Sequence, residues 1–333
     1  MEGKVFGHDW AVNILVSHIT REEVRHAYLF SGAEGVGRRT LALEFAKVLN
    51  CPVKKTSGVA CDTCKTCISL KKMEHVDLSV IQADKIGGSI KVEQIRDLQH
   101  SLSLTPYEAK YRIALLLRFE EATQSAQNAL LKMLEEPPPN VILLVTTNSL
   151  ENILPTVASR CEVLRLRPMV VQKLTDMLVS DHKLNREQAR QVAHLSGGRV
   201  GAALHLLEEP LTQEQNNSWL YEFNQLLKMD RCDRFSYVEG IHKDKEKVRM
   251  RFLTWLTYWR DVMILSSGSC APLINLEWQG QIEKLASAII LENASQRVAA
   301  LDRAIHLLDT TNVNPRLLTE VVLLDWPRLF GGK

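Results

Sequence analysis

Residues 26–40 read HAYLFSGAEGVGRRT: an apolar run from His26 to Phe30, a glycine-spaced turn from Ser31 onward, and then Leu41-Ala42-Leu43-Glu44-Phe45-Ala46 with helical character. Strand, glycine-rich loop and helix in that order frame a phosphate-binding loop, G-x-x-x-x-G-K-[ST], whose backbone N–H groups meet phosphate oxygens at a helix N-terminus. Gly32 and Gly37 fall on the two glycine positions, with Gly35 between them. The lysine position is Arg38, however, and the hydroxyl position is Arg39. Thr40 does not replace the hydroxyl, because one step along a helix turns a side chain by about 100°. The stretch therefore predicts an α/β core with a nucleotide cradle that has lost its two chemical residues.

The segments on either side extend this pattern. Ala27–Phe30, Leu78–Gln82, Arg112–Leu117, Val141–Thr146 and Glu162–Leu166 are short, mostly continuous apolar runs, as expected of parallel strands buried on both faces. The stretches between them are long enough for helical crossovers, among them Val92–Leu102 and Thr123–Leu134, the latter stopped by Pro137-Pro138-Pro139. Residues 1–167 thus read as an α/β domain with a parallel five-stranded sheet. After Pro168 no convincing strand remains. Residues 168–208 have helical spacing interrupted at Gly197-Gly198, and 209–333 form a larger all-helical region. There Phe252, Trp255, Leu256 and Trp259 share one face; Ile282, Leu285 and Ile289 form a second set and Leu301, Ile305 and Leu308 a third.

Bulk properties exclude several classes. A chain of 333 residues with 45% apolar and 24% charged residues is of ordinary globular composition, with two or three domains expected. A net charge of +2 argues against strong sequence-independent DNA binding by this chain alone. The basic run Lys243, Lys245, Lys247, Arg249 and Arg251 is diluted by Asp244 and Glu246 and reads as a solvated helix face. No apolar run is long enough to cross a bilayer, and the N-terminus lacks the apolar core of a signal peptide, so a cytoplasmic location is expected.

Four of the seven cysteines lie between residues 51 and 67. Cys61, Cys64 and Cys67 form C-x-x-C-x-x-C, and Cys51 precedes them. Thiolates at two-residue gaps converge on one ion, and a fourth ligand completes the tetrahedron of structural zinc. Cys51 and His75 are the alternatives for that fourth position. A closed site of this kind holds an insertion together and leaves no position for substrate. Free thiols or a redox pair are the rival reading.

A nucleotide-hydrolysing site also needs acids at the end of a second strand to hold magnesium. After Arg112–Leu117 comes Arg118-Phe119-Glu120-Glu121, with no Asp at the strand end. Glu120 and Glu121 are expected to begin the next helix, where the dipole favours acids.

The most specific stretch is NALLKMLEEPPP at 128–139, followed by the strand VILLVTT and then ILPTVASRC at 153–161. Together with HLSGGRVGAAL at 194–204, it resembles the clamp-loader ATPases of bacterial DNA replication, which are of the AAA+ class. The resemblance implies an AAA+ domain carrying a zinc module at about 50–70, a helical lid over 168–208 and an oligomerisation collar over 209–333. It also implies a role for Arg160, with Ser159 and Cys161 as motif context: an arginine finger reaching the phosphates bound by a neighbouring subunit. Thr146, Thr147 and Asn148 fall at the family's first sensor, where a structural strand end is expected, and Arg199, near its second sensor, reads as a solvated lid residue. The family's motor subunits, gamma and tau, keep intact loops and acids. This chain departs from them at Arg38 and Arg39, and again at Leu117 and Arg118 where the magnesium-linked acids fall. Those departures, together with the absence of a tau-like tail, resemble delta-prime, a subunit that keeps the fold and the SRC motif beside a degraded site.

The resemblance therefore implies a subunit without ATPase activity of its own, part of a DNA-directed DNA polymerase holoenzyme. Its implied partners are gamma/tau and delta subunits in a ring, and through them the sliding clamp and primed DNA. Gly32, Gly35, Gly37 and Arg38 leave weak ATP or ADP binding open, whereas hydrolysis is not expected. The alternatives are a competent gamma/tau-like ATPase, with Arg38 as loop cation and Glu120 or Glu121 as acid, and a zinc-stabilised interaction module unrelated to replication.

Overall fold

The computed structural model describes residues 5–53, 58–84, 88–208, 213–241, 244–269, 271, 273–311 and 313–328. These form two compact units, 1–205 and 206–333. In the first, the chain runs α1 (Asp9–Thr20), β1 (Ala27–Ser31), α2 (Arg38–Asn50), α3 (Lys65–Lys72), β2 (Leu78–Ile81), α4 (Val92–Leu102), β3 (Arg112–Leu116), α5 (Gln124–Glu135), β4 (Val141–Thr147), α6 (Pro155–Ala158) and β5 (Glu162–Arg165). The helices α7 (Val171–His182), α8 (Arg186–Leu195) and α9 (Val200–Glu208) follow. All five expected strands are present, each within a residue or two of its apolar run. They form one parallel sheet in the order β2-β3-β4-β1-β5.

Alternation along each strand sends side chains to two faces. Tyr28, Phe30, Ile113, Leu115, Ile142 and Leu144 pack with Leu15, Phe45 and Leu49 of α1 and α2. Ala27, Leu29, Ala114, Leu116, Leu143 and Val145 pack with Ile95, Leu98 and Leu130 of α4 and α5. Both faces are covered, which is why the runs contain no polar alternation. The cysteine insertion joins the first of these cores through Cys51, Ala60, Cys67 and Leu70. Lys47 secures it further: buried on α2, its ammonium pairs with Glu44 on the same helix and with Asp62 Oδ1 at 2.7 Å. At the start of β2, the buried Asp77 carboxylate accepts the N–H groups of Tyr107, Glu108 and Ala109 at 2.7–2.9 Å, closing the loop that leads into β3. Burial pushes its pKa up, but these three bonds prevail and hold it below the ordinary carboxylate value.

The second unit holds α10 (Gln213–Leu226), α11 (Arg231–Ile241), α12 (Lys245–Ser266), α13 (Gln279–Ala288), α14 (Leu291–Thr310) and α15 (Pro315–Leu324). The expected apolar sets meet in its core: Phe252, Trp255 and Trp259 of α12 with Ile282, Leu285, Leu301, Ile305 and Leu308. Phe223, Trp255 and Trp259 surround Trp326 with ring centroids 4.7, 5.1 and 5.9 Å away. Buried Arg234 donates to the carbonyls of Leu226 and Leu323, at the ends of α10 and α15, and to those of Trp326 and Pro327 in the segment that follows. Within the basic run, Lys243 lies outside the described residues. Lys247 pairs with Asp244, Arg249 with Glu246 and Arg251 with Glu222. Arg251 is not a solvated cation, since its side chain is 14% exposed and lies over the Trp219 ring.

Candidate functional site

The glycine loop turns from β1 into α2 at one end of the central strand. Gly37 caps α2 with φ 102°, a left-handed conformation that side chains with a Cβ avoid. At Gly35 the reason is proximity: a Cβ there would lie 2.9 Å from the Ala202 nitrogen, and Gly201 N–H donates to the Gly35 carbonyl at 2.7 Å. The N-terminus of α9 therefore rests directly on the loop backbone. Arg199 is half-buried, donating to Ser196 O at 2.8 Å and reaching Glu34 O of the loop at 3.4 Å. The expected solvated role is corrected: the Gly197-Gly198 turn lays this side chain against the loop. His8 also contributes, its Nε2 sitting 2.8 Å from the Val36 carbonyl.

Arg38 begins α2 with its side chain 9% exposed, and its Nη1 lies 3.8 Å from Glu120 Oε1. Burial lowers its pKa, with Glu120 and then Glu34 opposing the shift. Arg118, in the left-handed region at φ 50°, pairs with Glu121 at 3.2 Å. Burial raises the Glu121 pKa against the pull of Arg118. Glu120 and Glu121 do not begin α5, as the sequence predicts. They lie in a separate 3₁₀ turn, Phe119–Glu121, while Thr123 caps α5 by accepting from Ala126 N–H. The cause is the extended backbone of Ala122 and Thr123, which separates the turn from α5; the chain enters the turn through the left-handed Arg118, and both acids meet arginines. Arg38 Nη1, Glu120 Oε2 and Glu121 Oε2 are buried without a hydrogen-bond partner. Arg39 and Thr40 instead line a cleft of about 340 Å³ between α2 and α3, together with Leu43, Glu44, Lys47 and Lys71.

The ends of β3 and β4 are closed by local bonds. Thr146 Oγ1 accepts from Arg118 N–H at 3.0 Å, and Thr147 Oγ1 donates to Ser149 O at 2.8 Å. Asn148 Oδ1 accepts from Asn152 Nδ2 at 3.0 Å. Their polar groups are thus engaged with neighbouring protein groups.

The sulfur atoms of Cys51, Cys61, Cys64 and Cys67 all lie within 4.8 Å of one another, and those of Cys61 and Cys67 are 3.9 Å apart. A tetrahedral ion with Zn–S bonds of about 2.3 Å needs S···S edges of about 3.8 Å, so the four thiols fit such an ion. Backbone N–H groups of Cys61, Cys64 and Cys67 point at the sulfurs of Cys51, Cys61 and Cys64 respectively. The Cys64 N–H, followed by that of Thr63, draws the Cys61 pKa down to about 6, while burial pushes those of Cys64 and Cys67 up. His75 stands apart from the cluster, its Nδ1 accepting from Asp77 N–H at 3.0 Å. These four cysteines can hold a metal ion.

Ser159 and Arg160 close α6 at the surface, and Cys161 leads into β5. Arg160 Nη1 donates to Thr156 O at 2.9 Å, and Nη2 lies 2.9 Å from Glu135 Oε1 at the end of α5. Burial raises the Cys161 thiol to about 12, which suits packing and not nucleophilic attack. Gln127 of α5 fixes this segment by accepting from Leu154 N–H at 2.8 Å and donating to Asn152 O at 3.2 Å. Neither Gln127 nor Glu135 is among the residues expected from the sequence, although both lie in or beside the NALLKMLEEPPP stretch.

The family model described as DNA polymerase III, delta subunit, matches residues 7–170, and the model for its C-terminal region matches residues 213–328. The chain is 26% identical over 317 residues to the DNA polymerase III subunit delta' of Bacillus subtilis, covering 94% of each. To the subunit tau of Escherichia coli it is 33% identical over 190 residues, 57% of this chain and 28% of that protein. A solved structure of a DNA polymerase III gamma subunit-related protein from Thermotoga maritima superposes with a TM-score of 0.47 at 19% identity, covering 95% of this chain and 99% of that one.

Proposed function

The chain belongs to the DNA polymerase III delta-subunit family of bacterial clamp-loader AAA+ proteins, and on that premise we propose that it is a delta-prime-like subunit which does not hydrolyse ATP itself. It supplies Arg160 to the nucleotide of a neighbouring gamma/tau subunit. With the delta subunit completing the ring, it helps place the sliding clamp on primed DNA during replication in the cytoplasm. Residues 1–167 serve as the P-loop-like AAA+ domain, 168–208 as its lid and 209–333 as the oligomerisation collar. One structural zinc ion is held by Cys51, Cys61, Cys64 and Cys67.

The observation that carries the reading is a contrast between two arginines. Arg160 is held at the surface with guanidinium donors to spare. Arg38 is buried against Glu120, where the family's loop lysine meets phosphate. A triphosphate with its magnesium does not fit the side chains present: the loop hydroxyl is missing, Thr40 lies in the α2–α3 cleft, and the two nearby acids are committed to arginines. An arginine finger works by placing a fixed cation on the charge that develops on the transferred phosphoryl. Its planar fork offers bidentate contacts that lysine lacks.

The test is Arg160→Ala in the assembled clamp loader, with hydrolysis measured in the presence of clamp and primed DNA. Turnover at the neighbouring site should fall by about 10³-fold or more. Undiminished turnover overturns the proposal, as does ATP hydrolysis by the isolated chain at a motor subunit's rate. The rival reading, a competent gamma/tau-like ATPase, draws on the identity to tau. Arg38→Lys separates the two, since it alters turnover in a competent enzyme and leaves a relic loop inactive.

A further inference from the structure

Glu135 sits where helix electrostatics disfavours it. It is the last residue of α5, at the negative pole of the helix dipole, where lysine or arginine is the favoured side chain. A second acid, Glu136, follows as the C-cap. Positions that break a local rule tend to be kept for a purpose outside the element. Here the compensation comes from Arg160, whose Nη2 lies 2.9 Å from Glu135 Oε1. The second anchor of the guanidinium is the Thr156 carbonyl, at 2.9 Å from Nη1. Both anchors are fixed to each other, because buried Gln127 bonds α5 to the segment just before α6.

We propose that Glu135 is a positioning residue for Arg160, holding the guanidinium in the arrangement in which it meets a neighbour's nucleotide; this rests on the arginine-finger reading above. Of the five N–H donors of a guanidinium, two are spent on Glu135 and Thr156, leaving three for phosphate oxygens. An unrestrained arginine has to surrender its rotamer freedom at the encounter, whereas one already held loses less, and the difference appears in the rate. The opposite role, a carboxylate that keeps the finger away from phosphate, demands a strong, desolvated pair. In this chain Arg160 and Glu135 are 38% and 53% exposed and joined by one contact, so the pair guides the arginine without competing with a polyphosphate.

Glu135→Ala, Glu135→Gln, Arg160→Ala and the double variant Glu135→Ala/Arg160→Ala, each assembled into the full clamp loader, test this. The readout is kcat and KM for ATP with clamp and primed DNA present, beside the thermal midpoint of each variant. Glu135→Ala should lower kcat roughly two- to fivefold, the range set by a well-aligned exposed pair, with KM and the midpoint unchanged. Glu135→Gln keeps an acceptor oxygen and should recover most of the loss. In the Arg160→Ala background, Glu135→Ala should add nothing. A Glu135→Ala rate equal to or above the parent's overturns the positioning role, and so does a further loss in the Arg160→Ala background. If Arg160→Ala leaves the rate intact, the finger reading falls and this inference with it. If Arg160→Ala abolishes the stimulated rate while Glu135→Ala leaves it intact, only the positioning role is removed.

Discussion

Replacing Arg38 by alanine tests whether an internal ion pair stands in the loop where phosphate would otherwise be met. The Arg38 and Glu120 side chains are 9% and 13% exposed, with charged atoms 3.8 Å apart. At an effective dielectric of about 20, that separation is worth about 4 kcal/mol of gross attraction, most of it offset by desolvating both groups. Removing the cation leaves Glu120 beside Glu121, whose own partner is Arg118. Breaking a fully buried, well-bonded pair costs about 3–5 kcal/mol. This pair is longer and has orphaned atoms on both sides, so about 2 kcal/mol is the expected loss. In a unit of this size that lowers the melting midpoint by roughly 4–8 °C. The double variant Arg38→Ala/Glu120→Ala removes both charges and should recover a large part of the loss. Urea and thermal unfolding of parent, single and double variants give the coupling energy directly. Each is repeated with millimolar Mg-ATP, where a ligand at a hundred times its Kd would add about 2.7 kcal/mol. No nucleotide shift is expected. Additive single-variant losses, or a clear ATP-dependent rise in the parent's midpoint, would refute the reasoning.

The other expectations concern different parts of the chain. Cys67→Ser should abolish stoichiometric zinc in the purified protein and lower its melting midpoint, and chelation of the parent should reproduce that loss; metal content by mass spectrometry checks it. Asp77→Asn loses one of the charged oxygens that receive Tyr107, Glu108 and Ala109, at a cost of about 1–3 kcal/mol near neutrality. Because the folded Asp77 pKa lies below its unfolded value, its contribution is complete above about pH 4 and disappears as pH falls through the folded value. The variant's stability curve should therefore run closer to the parent's in acid than at pH 7. Trp326→Ala empties the centre of the aromatic cluster and should cost about 3–5 kcal/mol in the second unit, measured by tryptophan fluorescence during urea unfolding.

Local pattern made much of the fold legible. Val141–Val145 is an uninterrupted apolar run because both faces of β4 are covered, and burial of that kind is written residue by residue. The triplet Cys61, Cys64 and Cys67 was equally readable, since two-residue spacing alone brings thiols together. Adjacency to α5 suggests that Glu120 and Glu121 start that helix, and they do not. The extended Ala122 and Thr123 separate them from that helix, and no periodicity announces it. Arg199 is a related case: its partners are the Ser196 and Glu34 carbonyls, the second of them in a loop far away along the chain. An acid at a helix C-terminus is a signal that could have drawn attention to Glu135, but it names no partner.

By itself, then, the sequence determined the strand–loop–helix order around Ser31–Thr40, the helical regions after Pro168, the cysteine triplet and the motifs that carry the family resemblance. These depend on the spacing of neighbouring residues, which the covalent chain sets directly. Tertiary structure decided that Cys51 and not His75 joins the thiol cluster, that Arg38 faces Glu120, that α9 rests on the glycine loop and that Arg160 is held by Glu135. Those pairings span many residues and depend on how helices pack over a twisted sheet. Their energies come from groups brought together only after that packing is complete.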